Sequence, residues 1–356
     1  MLQHVVFTYG FNLNVAKRLV ADLAPEQMCQ QPHGVVNHPA WSLGHLAGAS
    51  VGILKALGHD ASLPAAWGDV FKTGGIPSAD PSVYPPKEEL LATYEALHAQ
   101  VTAAVTAADA GLSVAVNEGI RRTRAAGLTS DASLCVVAPF AREAVRRLGT
   151  NLGIQLTLSA EHELLELRPV TYAPSLLGGR GGFPLDAADA AEHADPDEVH
   201  REFRAQIERA ISLGVTPTFL ASHDDVVGQH LALFDVFLDV AEEYRLPIRH
   251  GYTLAGGTLH AGRLAEQRGH FVAAATINWR ASQDVASVLN NLPDGVSEMI
   301  VHVAVASDEL RAVVSDASDR EATLAALEAG RLASMAHELG IELVSWSKIA
   351  QITSNS

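Results

Sequence analysis

Cysteines, cationic side chains and long apolar runs are all scarce in this sequence of 356 residues. Its two cysteines, Cys29 and Cys135, form no CxxC pair, so neither a disulfide framework nor a cysteine zinc site is indicated. Lys and Arg number 25 against 41 Asp and Glu, and the net charge of -16 argues against nucleic acid and anionic membrane surfaces as partners. No apolar run reaches the roughly 18 residues of a membrane helix, and the N-terminal residues lack a signal-peptide pattern. We therefore expect a cytoplasmic protein.

The chain changes character near residue 110. Hydrophobic residues make up 48% of the sequence, enough for a sizeable core and two domains. Before this point, three stretches with helical spacing are separated by loops rich in Gly and Pro, which predicts an all-α domain over residues 1–100. After it, helical segments alternate with short apolar runs, which predicts parallel strands with crossover helices over residues 101–356. These runs are SLCVVA, GIQLTL, TPTFLA, FVAAATI, MIVHVAV and IELVSW.

Three shorter segments complete the predicted secondary structure. Asp195 followed by Pro196 is typical of a helix start, and Gly214 ends the apolar face that follows. The Ala-rich segment from Asp186 to Asp195 is predicted to be a surface loop. The junction QVTAAVTAAD has weakly alternating apolar residues and a high Ala content, so a first barrel strand and a helix are both compatible with it.

The stretch GVTPTFLASHDDVVGQH contains the first candidate for a functional site. His223, Asp224 and Asp225 directly follow the predicted strand TPTFLA, at the end where loops of such folds carry the chemistry. Together with Asp109 and His302, from other strand-like runs, they could hold a divalent metal that activates water. The alternative is a polar loop in which one of the two adjacent aspartates caps the following helix. Spacing alone favours this alternative.

Several stretches between Asp109 and Ile349 occur in a specific order: DAGLSVAVNEGI, LGIQLTLSAEHELLELRPV, EFRAQIERAISLGVTPTFLASHDD, AEEYRLPIRHG, and GVSEMIVHVAV with DREATLAALEAG. In this order and spacing they resemble the YdjC-like carbohydrate deacetylases, which are similar to the NodB-type polysaccharide deacetylases. The resemblance implies an α/β fold, a distorted (β/α) barrel of the polysaccharide-deacetylase type. It also implies that water on a divalent metal such as zinc hydrolyses an N-acetyl group of an acetylated oligosaccharide or amino sugar.

Carried over residue by residue, the resemblance implies a damaged metal centre. The family begins with two aspartates, a general base and a metal ligand, and here the pair reads Ala108 and Asp109. Gln155 stands where the family has a metal-binding histidine, and a neutral amide is a poor substitute for imidazole on zinc. His223 matches a further ligand, and Asp225 could supply a new carboxylate. We therefore expect weak or absent metal binding through Asp109, His223 and Asp225.

Two catalytic candidates are retained. The resemblance implies that His302 protonates the leaving amine and that Arg249 belongs to the substrate cleft. Loss of a positioned general base costs about 10² to 10⁴ in rate, so whether the chain is an active hydrolase stays open. The alternative within the same fold is a non-catalytic protein that binds a sugar or a partner.

The segment HPAWSLGHLAGAS resembles the second helix of DinB-like four-helix bundles, in which the histidine at the position of His45 is a metal ligand. The other ligands of that family lie on a fourth helix, and this chain reaches the barrel motif first. We therefore predict a partial all-α bundle in which His45 is a packed helix residue. Its uncovered apolar face indicates docking on the barrel or on another subunit of a homo-oligomer. A stress-related or thiol-transferase-like module is a third hypothesis.

Overall fold

The computed structural model of the chain describes residues 16–32, 36–56, 62–72, 74–98, 102–253, 259–293 and 295–349. Two compact units divide the chain, residues 1–101 and residues 102–356. Within the described ranges, no helix combines the length and the apolar character needed to cross a membrane. All described strands belong to the second unit.

The first unit encloses a small core rich in aromatic side chains. Residues 16–20 are helical, and two longer helices follow, α1 (Pro39–Ala56) and α2 (Lys87–His98). Short 3-10 helices lie at Pro25–Gln27, Ala65–Trp67 and Pro81–Val83. The largest buried side chains are Trp41, Leu43, Trp67, Phe71, Leu90 and Tyr94. Each predicted helical stretch contains a described helix, and the partial all-α bundle is confirmed.

The second unit is a parallel barrel surrounded by helices, as predicted. Its strands are β1 (Thr102–Ala110), β2 (Asp131–Leu134), β3 (Asn151–Leu156), β4 (Thr216–Ser222), β5 (Ile248–Arg249), β6 (Gly251–Thr253), β7 (Ala273–Trp279), β8 (Val296–Val301) and β9 (Glu342–Leu343). Its helices are α3 (Val114–Ala125), α4 (Ala141–Leu148), α5 (Ala187–His193), α6 (Pro196–Ser212), α7 (Leu231–Tyr244), α8 (Leu259–Gln267), α9 (Val285–Asn290), α10 (Asp308–Val313), α11 (Ala317–Glu328) and α12 (Arg331–Glu338). The strands are arranged β5-β4-β3-β2-β1-β8-β7-β6, and β9 pairs with β1.

An interrupted strand at residues 248–253 nearly closes this barrel. Its first part, β5, pairs with β4, and its second part, β6, pairs with β7. Because one segment thus pairs with both ends of the sheet, seven strand positions of the described chain form a ring. All pairings are parallel, so the carboxyl ends of the strands gather at one rim.

The junction segment forms the first strand of the barrel. β1 pairs with β8 from Thr102 to Ala107 and with β2 from Thr106 to Ala110, and Val105, Ala107 and Ala108 are buried. Pairing on both sides outweighs the helix preference of alanine, since strand preference mostly reflects packing within a sheet. The strand brings Asp109 to the carboxyl rim of the barrel.

Aspartates start two helices before β4. Asp195 caps α6 by accepting two backbone N–H groups, as the sequence predicts. The prediction of a surface loop from Asp186 to Asp195 is wrong, because residues Ala187–His193 form α5. Asp186 caps α5 in the same way, and the high helix preference of its alanines favours the helix over a loop.

Candidate functional site

Side chains from four strands meet at the carboxyl rim of the barrel. Asp109 lies near the end of β1, Gln155 lies in β3, His223 follows β4 and His302 directly follows β8. Asp109 and His223 are buried, and Asp109 Oδ1 lies 3.7 Å from His223 Nδ1. The structure thus brings together two of the three predicted metal ligands.

Three aspartates of this rim have backbone conformations that favour glycine. The angle φ is 67° at Asp109, 50° at Asp224 and 52° at Asp225. Asp tolerates the left-handed region better than most residues, but such conformations still cost of order 1 kcal/mol or more and cluster at functional sites. The unusual backbone conformations therefore occur at the same rim as the candidate functional side chains.

Gln155 fills the space between Asp109 and His223. Its Oε1 accepts the backbone N–H of Asp109 at 3.1 Å and the Ser133 hydroxyl at 3.3 Å. Its Nε2 therefore faces the other way, 2.9 Å from Asp109 Oδ1 and 2.7 Å from His223 Nδ1. An amide nitrogen of this kind donates and does not accept, so its hydrogens occupy the position between the two ligand atoms. Asp109, Gln155 and His223 in this arrangement do not fit the metal that the family resemblance implies.

A buried arginine on α11, Arg320, holds the other oxygen of Asp109. Its guanidinium lies 2.8 Å from Asp109 Oδ2 and 2.6 Å from Asp316 Oδ1. Burial alone would raise the pKa of Asp109, but the charges of His302, Arg320 and His223 lower that pKa below its ordinary range. Asp109 is therefore an ionised anchor, too weak a base to take a proton from water. Sequence reasoning missed Arg320, although it lies in the quoted stretch DREATLAALEAG.

His302 lies between this anchor and solvent. Its Nε2 is 3.4 Å from Asp109 Oδ2, and its side chain is 21% exposed. Burial lowers the pKa of His302 to about 4, although the charge of Asp109 opposes this shift. The ring is therefore neutral at pH 7, and a neutral imidazole must accept a proton before it can donate one to a leaving group.

The other edge of the His223 imidazole faces two carboxylates. Its Nε2 lies 3.3 Å from Glu163 Oε1 and 3.2 Å from Asp224 Oδ2. The three residues form a group whose possible ligand atoms all lie within 4.8 Å of one another. Glu163 reaches the site from the loop after β3, where it bridges to Val314. Sequence reasoning did not single out Glu163, because it neither ends a strand nor belongs to a known ligand motif.

The protonation state of His223 depends on both of its edges. Burial alone would lower the pKa of His223, whereas the carboxylates of Asp224, Glu163 and Asp109 raise it to about 10. The Gln155 amide opposes a second ring proton, because its N–H group points at Nδ1 and needs an acceptor there. The Gln155 amide therefore favours a ring proton on Nε2 over one on Nδ1.

Asp225, the third predicted ligand, does not join this group. Its carboxylate accepts the N–H of Gly228 and lies so close that an added Cβ there would come within 2.5 Å of Asp225 Oδ1. Burial raises the pKa of Asp225 to about 6, while Arg249 and the Gly228 N–H oppose this shift. Asp225 thus contacts the turn at Val227–Gln229, but neither this turn nor the following helix has a side-chain cap. Its role as a ligand stays a prediction.

A cleft of about 370 Å³ opens beside these residues. Its volume is in the range of small-molecule sites. Arg249 contributes to its wall from β5, with Nε 3.5 Å from Glu298 Oε1 and Nη1 3.4 Å from the Ser133 hydroxyl. Other polar residues of the wall include Gln155, Asp224, Asp225, Asn278, Arg280, His302 and Asp316.

In the first unit, His45 forms a hydrogen bond and a ring contact with neighbouring residues. Its Nδ1 donates to the Phe71 carbonyl at 2.9 Å, and its ring stacks on Trp41 with centroids 4.6 Å apart. Among the described residues of this unit, no three His, Cys, Asp or Glu side chains are grouped closely enough to hold a metal. The predicted role of His45 as a packed helix residue agrees with these contacts.

Comparisons with known proteins match both units. The family described as YdjC-like protein matches residues 103–338, and the DinB superfamily matches residues 11–126. A carbohydrate deacetylase of Thermoanaerobacter pseudethanolicus is 30% identical over 221 residues, which cover 61% of this chain and 86% of the relative. A carbohydrate deacetylase of Brevibacillus brevis is 29% identical over 256 residues, which cover 69% and 98%.

A solved structure has the same fold. It is an Enterococcus faecalis V583 protein assigned to cellobiose-phosphate cleavage, with a TM-score of 0.62 at 21% sequence identity. The alignment covers 70% of this chain and 98% of that one. The family match to the barrel spans well over half of the sequence, and the chain therefore belongs to the YdjC-like protein family.

Proposed function

We propose that the barrel binds an acetylated oligosaccharide or amino sugar in its cleft and slowly hydrolyses an N-acetyl group. The observation that carries this proposal is the position of His302, which lines the cleft and is held against the ionised Asp109. The names of the relatives, which are carbohydrate deacetylases, support the class of substrate.

His302 is the proposed residue for proton transfer. Hydrolysis adds water across the amide C–N bond and yields acetate and a free amine. Asp109 Oδ2, 3.4 Å from Nε2, favours the tautomer with its proton on that nitrogen, which leaves Nδ1 as the acceptor. Nδ1 takes a proton from the attacking water and passes it to the amine as the C–N bond breaks. Arg249 supplies positive charge in the cleft wall for the oxyanion that develops on the carbonyl oxygen.

The expected rate is low for two reasons. Ala108 replaces the family's general base, and this loss costs about 10² to 10⁴ in rate. Asp109, Gln155 and His223 do not fit the family's metal, because the amide of Gln155 donates into the space between the ligand atoms. Both changes affect the activation of water.

Binding and turnover can be tested in one set of measurements. N-acetylated chito-oligosaccharides would be titrated by calorimetry into the parent, His302→Gln and His45→Gln, and released acetate would be quantified. We expect the parent and His45→Gln to bind sugar and release acetate slowly. His302→Gln should retain binding and lose at least about 10-fold in rate, because proton transfer contributes about 10² or more. A parent that neither binds these sugars nor releases acetate contradicts the proposal.

A non-catalytic sugar-binding protein is the second candidate. This candidate is supported by the contacts of Asp109, because both of its carboxylate oxygens already have protein partners. Oδ1 accepts a hydrogen bond from Gln155, and Oδ2 forms an ion pair with Arg320. On this alternative, the parent binds the oligosaccharide and releases no acetate above the rate in buffer. The same two assays therefore separate the candidates.

A further inference from the structure

Two carboxylates at the rim, the buried Glu163 and the half-buried Asp224, have no cationic partner other than His223 among the described residues. Within the described chain, Glu163 and Asp224 form ion pairs with His223 Nε2 alone. Buried charges in proteins are paired with opposite charges or coordinate metals. One imidazole carries at most one positive charge and faces two carboxylates here, so this edge of the ring has an excess of negative charge.

Two atoms of the same group are buried without hydrogen bonds. His223 Nε2 and Glu163 Oε2 are both enclosed, and neither has a hydrogen-bond partner. The two carboxylate oxygens nearest to Nε2 are 3.2 and 3.3 Å away, but neither is aligned with the ring N–H. Buried polar atoms without partners are rare in native proteins, and an ion is one of the groups that satisfies them.

The distances from His223 Nε2 to the two carboxylates suit a small divalent cation. Zinc lies about 2.0–2.2 Å from nitrogen and oxygen ligands, so two ligand atoms of a tetrahedral site are about 3.3–3.6 Å apart. The separations of 3.2 and 3.3 Å from Nε2 to the two carboxylates are close to that value. The Ser159 hydroxyl donates to Asp224 Oδ2 at 2.7 Å and so orients one ligand from behind.

We propose that Glu163, His223 and Asp224 form a divalent-cation site, with zinc as the cation to be tested. This site uses the Nε2 edge of His223, whereas the position that the family resemblance implies lies on the Nδ1 edge, between Asp109 and Gln155. The proposal is independent of sugar turnover, because zinc binding is measured without substrate.

Gln155 limits the affinity of this site. A cation on Nε2 moves the ring proton of His223 to Nδ1, where Asp109 Oδ1 at 3.7 Å is a carboxylate acceptor. The amide of Gln155, 2.7 Å from Nδ1, is a donor and must then move. We expect Gln155→Ala to strengthen zinc binding, because water in the vacated space can accept the Nδ1 proton.

Calorimetric titration of zinc chloride into chelator-treated, full-length protein tests the site. We expect one zinc ion per chain. Glu163→Gln and Asp224→Asn should each weaken binding by at least about 10-fold, since even residues that only orient ligands cost 10-fold to 100-fold. Glu166→Gln is the matched control, because it removes an exposed carboxylate of the loop that carries Glu163, 3.0 Å from Arg168 and outside the proposed cation group, and should bind zinc like the parent.

Three results would overturn the proposal: no zinc binding by the parent, parental affinity in both Glu163→Gln and Asp224→Asn, or an equal loss in Glu166→Gln. Thermal unfolding of each metal-free variant distinguishes a lost ligand from a lost fold. X-ray absorption of the parent's zinc complex provides a test without variants. It should show a single imidazole with oxygen ligands, and two or more imidazoles would contradict the site.

Discussion

Replacement of Arg320 by methionine should destabilise the barrel far more than the same change at an exposed ion pair. Arg320 Nη1 lies 2.8 Å from Asp109 Oδ2, and the two side chains are 1% and 2% exposed. At that distance and an effective dielectric constant of about 20, two unit charges attract by about 6 kcal/mol, which desolvation partly offsets. Methionine removes the cation but leaves Asp109 buried and ionised, so we expect a loss of about 3–5 kcal/mol in the free energy of unfolding.

Urea unfolding at neutral pH, followed by circular dichroism, measures this loss. Arg280→Met is the matched control, because its guanidinium lies 3.0 Å from Asp319 with side chains 37% and 59% exposed, and such pairs contribute below about 1 kcal/mol. The pKa of Asp109 is lower in the folded protein than in the unfolded chain, where it is about 3.9. Asp109 therefore makes its full contribution to the free energy of unfolding above that pH, and this contribution is lost only as the pH falls below it.

A double-mutant cycle with Asp109→Asn then isolates the interaction. Both singles should be destabilised, and the double should lose less than their sum by about 1 kcal/mol or more. Losses that add within about 0.5 kcal/mol, or an Arg320→Met protein as stable as Arg280→Met, would refute the assignment of Asp109 and Arg320 as a buried anchor.

Three further predictions concern the rim and the helical unit. The pKa of His302, about 4 against about 6.5 when unfolded, makes its contribution to stability complete above about pH 6.5 and lost as the pH falls towards 4. His302→Gln should therefore reduce the fall of the urea midpoint between neutral and mildly acidic pH, and an unchanged fall contradicts the assignment. Gly228→Ala should cost about 1–3 kcal/mol, because its Cβ would lie 2.5 Å from Asp225 Oδ1, and an unchanged thermal midpoint argues against that contact. Deletion of residues 1–98 should lower solubility or dissociate an oligomer through the proposed docking face, and unchanged solubility, thermal midpoint and mass in light scattering would count against this face.

The alternation of helices and apolar runs was sufficient to predict the barrel, but it missed features that depend on distant pairing. The strand at residues 248–253 has only short runs on either side of His250, and it is recognisable as a strand only because β4 and β7 pair with its two parts. The segment QVTAAVTAAD was ambiguous for the same reason, since its neighbours β2 and β8 decide its conformation. The helix after Asp186 had a local signal, an aspartate cap before alanines, which the loop prediction overlooked.

The site residues likewise fall into those that the sequence pattern predicted and those that depend on distant contacts. Asp109 and His223 were predictable because they follow strands and match family ligands. Glu163 and Arg320 were not, because a loop and a helix bring them to the rim from positions with no strand end or ligand pattern. The orientation of Asp225 depends on its hydrogen bond with Gly228, which the sequence pattern does not encode.

We propose that this barrel derives from a deacetylase whose base was lost at Ala108 and whose imidazole ligand was lost at Gln155. This claim is tested most directly by acetate release from N-acetylated chito-oligosaccharides, with zinc present, for the parent, Ala108→Asp, Gln155→His and the double variant. We predict a slow parent and a double variant faster by about 10² or more, with each single gaining less because base and ligand act on the same water. A parent that turns over at an ordinary enzyme rate of about 1–10³ s⁻¹, or a double variant that binds zinc and stays as slow as the parent, would contradict the claim.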